Sequence, residues 1–183
     1  MLYFLTGYIR GSIPYNIHTM KLLFGIGNPG KEYEGTRHNI GIAFVSRDEV
    51  FKDVIKEVSD VFVNRSGQIV KKLKSKFKIK NENIYVVHDD LDIQFGEFKI
   101  VFNRGSAGHR GVQSVIAALK TQKFWRVRIG TSSPRLRSAR AAKDKKEAVA
   151  DFVLSKFTSG EKKQLEDIFE RISHAISDHF NNN

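Results

Sequence analysis

Four stretches of the 183-residue chain hold residue types and spacings that can do chemistry. Gly25-Ile-Gly-Asn-Pro-Gly30 has the spacing that lets a backbone approach a pyrophosphate, but that use needs a helix to open at once. Lys31 to Asn39 shows no apolar stripe and contains Gly35, so a plain glycine turn is the simpler reading, with Asn28 an amide that the turn can aim into a cleft. Thr36-Arg-His-Asn39 places a histidine, His38, ten positions later in a polar stretch. His88-Asp-Asp-Leu-Asp92 ends an apolar run, where a carboxylate can accept a hydrogen bond from an imidazole and fix its tautomer. His88, Asp89, Asp90 and Asp92 are also the residue types that hold a hard cation. Consecutive strand residues point to opposite faces, however, which disfavours a single mononuclear site. The fourth stretch, Arg104-Gly-Ser-Ala-Gly-His-Arg-Gly111, opens a helical pattern, and its backbone N–H groups suit an anion or a terminal phosphate, with Arg110 adding charge. It lacks the Lys-Ser/Thr of a nucleotide-hydrolysing loop.

These groups need elements to position them. Lys21 to Ile26 and Ile84 to Val87 read as buried strands that feed loops at their carboxyl ends. Phe98 to Phe102 and Trp125 to Ile129 read as further strands with a period nearer two. Ile69, Val70, Leu73 and Phe77 form one helical stripe, and Val112, Val115, Ile116 and Leu119 form another. Thr158-Ser-Gly-Glu161 has capping-box spacing and starts an amphipathic C-terminal helix through Leu165, Ile168, Phe169, Ile172 and Ile176. Strands alternating with helices predict a single α/β domain with a central mixed sheet flanked by helices, its functional groups gathered at strand carboxyl ends.

Charge narrows the partner. The net charge of +11 is concentrated in two stretches. Lys71 to Lys80 holds six lysines and no acid, and Arg135 to Lys146 holds six bases against Asp144. Two basic patches on an otherwise neutral chain are an electrostatic footprint for a polyanion, most often a nucleic acid. The first stretch has a plain alternative as the solvated face of a helix; the second reads as loop. With no cysteine, a disulfide framework, a thiolate metal site and a thiol nucleophile are excluded, and any nucleophile is oxygen, nitrogen or activated water. No window approaches the ~18 apolar residues of a membrane span. Residues 1–19 lack a basic start and a small-residue cleavage site, so they read not as a signal peptide but as an extension to a domain over 20–183, either a peripheral arm or a stretch ahead of a true start near Met20.

Gly25 to Gly30, Thr36-Arg-His-Asn-Ile-Gly41, Asn64-Arg-Ser-Gly67, His88 to Asp92, Gly105 to Gly111, Arg126-Val-Arg-Ile-Gly130 and Val149-Ala-Asp-Phe-Val-Leu154 together resemble bacterial peptidyl-tRNA hydrolases, in the same order along the chain. The resemblance covers nearly everything from Met20 to the C-terminal helix. It implies a cytoplasmic, monomeric enzyme of translation that cleaves the ester between peptide and tRNA without cofactor or metal. By motif, His38 would be the general base, Asp89 its partner, and Asn28 a stabiliser of the developing oxyanion. Asn64, Arg110, Tyr33, Lys99 and Arg128 would bind substrate, the last two at tRNA phosphates. The basic run at about 134–148 lies where the family has a lid over the cleft.

Two departures stand out. Arg110 occupies a position that is usually Asn in the family. The segment between His38 and Asn64 is also short by enough to lose a hairpin and most of the strand before Asn64. These departures favour a second reading, a non-catalytic RNA-binding relative on the same fold. The retained His38, Asp89 and Asn28 favour the enzyme.

Overall fold

The computed structural model of the chain describes residues 19–141 and 143–182, so the expected extension at 1–19 lies, apart from Thr19, outside the described residues. Five strands form one mixed sheet in the order β2-β1-β3-β5-β4. They are β1 (Lys21–Gly25), β2 (Val54–Val58), β3 (Ile84–Gln94), β4 (Phe98–Phe102) and β5 (Trp125–Ser132). β2, β1, β3 and β5 run parallel, and β4 pairs antiparallel with β5. Alternation along β1 and β3 sends side chains to two separate cores. Leu23, Tyr85 and Val87 meet Phe44 of α1 (Ile40–Val45) and Ile168, Ile172 and Ile176 of α6 (Ser159–Asn182). Leu22, Phe24 and Val86 meet Val70 and Leu73 of α2 (Ser66–Phe77) and Val112 and Val115 of α3 (Arg110–Leu119). Each fully buried aliphatic side chain stabilises the fold by about 1.5–3 kcal/mol before the entropy of ordering it is set against that gain.

The capping box forms as the sequence predicts. Thr158 N–H donates to Glu161 Oε2 at 2.7 Å and Glu161 N–H donates to Thr158 Oγ1 at 3.2 Å. Three expectations are corrected. β3 does not stop at Val87: it continues through His88, Asp89 and Asp90 to Gln94, because β5 pairs alongside to Asp90 and Gly130 and again at Gln94 and Ser132, and the acidic side chains find partners. The strand before Asn64 is not lost: Val54–Val58 is present and pairs with all five residues of β1. The basic run is helical rather than loop, with α4 (Pro134–Ala141) followed by α5 (Lys145–Leu154). Pro134 at the first helical position and the Arg, Leu and Ala that follow are good helix formers, a preference that the density of charge masks.

One glycine sets how closely α1 packs on the strand ends. A Cβ at Gly41 would lie 2.3 Å from the Val87 carbonyl oxygen and 2.8 Å from that of Ile26. α1 therefore presses its first turn onto the carboxyl ends of β1 and β3, with His38 just before it. Gly41→Ala is expected to destabilise the protein by about 1–3 kcal/mol through overpacking against a backbone that cannot yield. Urea denaturation measures this.

Candidate functional site

The loop after β1 and the turn before α1 are fastened to each other. Asn28 N–H donates to Asn39 Oδ1, and Asn39 Nδ2 donates to the Asn28 carbonyl, both at 2.8 Å. The Asn28 side chain is fixed in turn, because its Oδ1 accepts from Val63 N–H at 3.1 Å. That bond assigns the amide orientation and leaves its NH2 as the group offered to the cleft that Asn28 lines. On the other side of His38, Arg37 is 1% exposed and lies between the rings of Phe152 and Phe157, with its guanidinium carbon 4.8 and 5.0 Å from their centroids. It pairs with both carboxylate oxygens of Glu161, at 2.7 and 2.6 Å, and donates to the Lys156 carbonyl at 2.6 Å. A buried ion pair of this kind, made through Nη2 alone, fixes geometry more surely than it adds stability. His38 thus sits between two anchored neighbours.

His38 Nδ1 lies 2.8 Å from Asp89 Oδ1, and the same oxygen is 2.9 Å from His109 Nε2. The tautomers follow from the partners. His109 is the N-cap of α3, and its Nδ1 accepts from Gly111 N–H at 3.1 Å and Val112 N–H at 3.3 Å. Its hydrogen on Nε2 therefore points at Asp89. Asp89, 2% exposed, accepts from both rings. Burial works against its charge, but His38 and His109 outweigh that cost and hold its carboxyl well below the usual range. Burial also works against a charged His38, and the Asp89 charge and hydrogen bond overcome this and the opposing Arg110, so that the His38 pKa is raised above its ordinary 6.5. With Nδ1–H given to Asp89, His38 Nε2 keeps its lone pair.

The cleft encloses about 1180 Å³ and is lined by Asn28, His38, Asp89, His109 and Arg110, with α4 and α5 contributing Arg140, Lys146 and Val153. His38, Asp89 and His109 form a group whose ligand atoms lie close enough to hold a metal ion. The protons assigned above make it a hydrogen-bonded chain, since both nitrogens facing Asp89 act as donors. The neighbouring residues of β3 have partners of their own. Asp90 Oδ2 accepts from Arg128 Nε at 2.7 Å, Asp92 Oδ1 accepts from Arg140 Nη2 at 2.7 Å, and His88 is buried with its Nδ1 2.6 Å from the Asp89 carbonyl. Burial drives the His88 pKa well below its ordinary value.

The structure brings together only part of the expected residue set. Asn28, His38, Asp89 and Arg110 share the cleft. Lys99 and Arg128 sit side by side across β4 and β5, outside its lining. Asn64 is exposed in the 3-10 turn Val63–Arg65 and does not line the cleft; its neighbour Val63 does, through the contact to Asn28. Tyr33 is half-buried against Phe62, ring centroids 6.2 Å apart, near the Asn64 turn. Two assignments change. The glycine-rich loop does not offer the first N–H groups of α3 to a phosphate, because His109 already occupies two of them. The Gly25–Gly30 turn is followed by the three-residue 3-10 turn Lys31–Tyr33, too short to present a helix N-terminus to a pyrophosphate. His109 and Asn39 are the positioning residues that sequence reasoning passed over. Their adjacency to Arg110 and His38 was the available signal.

Comparison with known proteins identifies the family. The family model described as peptidyl-tRNA hydrolase matches residues 22–60 and 49–183. The chain is 33% identical to the peptidyl-tRNA hydrolase of Ligilactobacillus salivarius over 184 residues, covering 89% of this chain and 94% of that protein. It is 36% identical to the peptidyl-tRNA hydrolase of Neisseria meningitidis over 185 residues, covering 88% and 91%. Among solved structures, the peptidyl-tRNA hydrolase of Acinetobacter baumannii superposes with a TM-score of 0.68 at 27% identity, over 83% of this chain and 84% of that one. Matched over nearly its whole length in this way, and with the fold shared, the chain belongs to the peptidyl-tRNA hydrolase family.

Proposed function

We propose that the protein hydrolyses the ester that joins a peptide to the terminal ribose of tRNA, using water activated by His38. The observation that carries the reading is the chain His38–Asp89–His109, whose tautomers leave a basic Nε2 on a cleft-lining imidazole. His38 Nε2 takes a proton from water as the oxygen attacks the acyl carbon, and Asp89 stabilises the imidazolium that forms. The carbonyl oxygen becomes an oxyanion, and the oriented Asn28 NH2 donates to it. Collapse breaks the bond from acyl carbon to ribose oxygen, and His38 returns the proton to that oxygen. The reaction so drawn uses no cofactor. One chain supplies every group in it, so a monomer suffices.

Arg110 at the cleft mouth, and Lys99 and Arg128 on the sheet face, suit the phosphates of the tRNA end. Tyr33 and Asn64 share a rim where they would meet the peptide or the attacking water. The basic run over α4 and the start of α5 acts as the lid over the bound 3′ end; no helix among the described residues is long and apolar enough to cross a membrane. A substrate made by ribosomes makes the cytoplasm the working compartment. Incubation with an N-acetylaminoacyl-tRNA tests the reading, with release of the N-acetyl amino acid and deacylated tRNA expected. Salt-dependent binding of the same tRNA with no release would assign the protein instead to the non-catalytic RNA binders.

A further inference from the structure

The turn that carries His38 is stitched to the end of α5. Arg37 N–H donates to the Ser155 carbonyl at 3.1 Å, Phe157 N–H donates to the Gly35 carbonyl at 3.3 Å, and Thr36 forms an antiparallel bridge with Lys156 between them. Ser155 is the residue at which α5 ends, and its backbone is extended. The Arg37 side chain closes the same junction. Its Nη1 donates to Ser155 Oγ at 3.2 Å and to the Lys156 carbonyl at 2.6 Å, while Nη2 reaches both oxygens of Glu161 in the first turn of α6. One buried guanidinium therefore joins the turn of the base, the end of α5 and the start of α6. Of the three, α6 is fixed in the core through Ile168, Ile172 and Ile176.

α5 meets the site with two faces. Phe152 is buried, its ring centroid 4.8 Å from the Arg37 guanidinium carbon, whereas Val149, Ala150, Val153 and Leu154 line the cleft. Those four side chains form an apolar wall, which suits the acyl part of a substrate rather than its phosphates. Phe152 stands three residues before Ser155, so a tilt of α5 about its fastened end carries the ring against the guanidinium. The guanidinium in turn belongs to the residue next to His38.

We infer that Arg37 is a positioning residue that couples α5 to the base: a peptide seated against the apolar wall of α5 sets, through Phe152 and Arg37, the orientation of His38. The inference rests on the reading of the protein as a peptidyl-tRNA hydrolase. It makes turnover depend on how far the acyl group extends along α5. An extended tetrapeptide reaches about 13 Å, close to the ~15 Å of a ten-residue helix, whereas a single amino acid leaves most of the wall uncovered. Small displacements suffice, since misplacing a reacting group by about 1 Å can cost ~10² in rate. A role in stability alone needs only the charge and bulk of Arg37 and predicts no dependence on the acyl group.

The test uses Arg37→Lys, which keeps the charge but lacks the planar fork that spans Ser155, Lys156 and Glu161. Turnover is measured on N-acetylglycyl-tRNA and on the N-acetyltetraleucyl ester of the same tRNA, at a temperature where a thermal melt shows the variant folded. The parent should have a kcat about tenfold higher on the tetraleucyl ester. In Arg37→Lys kcat should fall on both esters and that advantage should shrink to within about twofold, with each KM near its parental value. A parental kcat on both esters overturns the proposal, as does a fall that preserves the advantage, or a parent that turns over the two esters alike. If Arg37→Lys does not fold, Glu161→Gln decides by the same readout, because glutamine keeps the capping box while removing the charge that holds Nη2. If the parent cleaves neither ester, the functional reading fails. The coupling is then judged on the free protein by NMR titration of the His38 imidazole, whose midpoint Asp89 holds above 6.5. With the charge at position 37 unchanged, that midpoint should fall in Arg37→Lys as the contact to Asp89 loosens, and an unmoved midpoint overturns the proposal.

Discussion

Replacing His38 with alanine is expected to lower kcat by at least about a hundredfold, the lower end of what a positioned general base contributes. KM for tRNA should change little, because the proposed phosphate contacts, Arg110, Lys99 and Arg128, are separate from the imidazole proposed to meet the ester. The fold should persist. The turn bearing His38 is held through its neighbours, Arg37 by Glu161 and the Lys156 carbonyl, and Asn39 by Asn28. Steady-state kinetics on N-acetylaminoacyl-tRNA, with a thermal melt alongside, separates lost chemistry from lost structure. Parental turnover in this variant would remove His38 from the mechanism.

The second large effect is expected from Asn28→Asp. The carboxylate keeps an oxygen for Val63 N–H, so the loop geometry at 3.1 Å is preserved, whereas alanine would leave that donor unpaired. What changes is the other half of the side chain. An NH2 that donates to a developing oxyanion becomes a second oxygen that repels it. Loss of one such donor costs about 10²–10³ in kcat, and the added negative charge places the aspartate variant at or beyond the upper end. Near-parental binding of deacylated tRNA together with this loss would locate the effect in the transition state rather than in substrate affinity.

Much of the scaffold was legible from the sequence because its signals are local. The run Lys21 to Gly25, the stripes through Val70 and Leu73 and through Val112 and Val115, and the Thr158 and Glu161 capping box depend on residues a few positions apart. The site was legible only where motif order supplied the distant partner, as with His38 and Asp89, which are 51 residues apart. His109 shows the limit. Its role exists only once the start of α3 is packed beside the end of β3, so that one ring caps the helix with Nδ1 and orients Asp89 with Nε2. Read along the chain, the same loop resembled an anion cradle. Arg37 misleads in the opposite sense, because a guanidinium flanked by polar residues reads as exposed, yet two phenyl rings and Glu161 bury it. The strand Val54–Val58 escaped notice because its residues are mostly half-buried at a sheet edge and carry little periodic signal.

The central claim is that Asp89 supports His38 as the base, and the pH dependence of kcat/KM tests it most directly. A base must be neutral to accept a proton, so activity rises with pH through the His38 pKa of the free enzyme. The same raised pKa acts oppositely on stability: its contribution is full below 6.5 and is lost as pH rises through the folded value. For the parent, the acid limb of kcat/KM should have its midpoint above 6.5, because Asp89 outweighs burial and Arg110. In Asp89→Asn the charge is gone while burial and Arg110 remain, so the residual rate should show a limb with its midpoint below 6.5. A limb that stays in place or moves upward in Asp89→Asn would contradict the account.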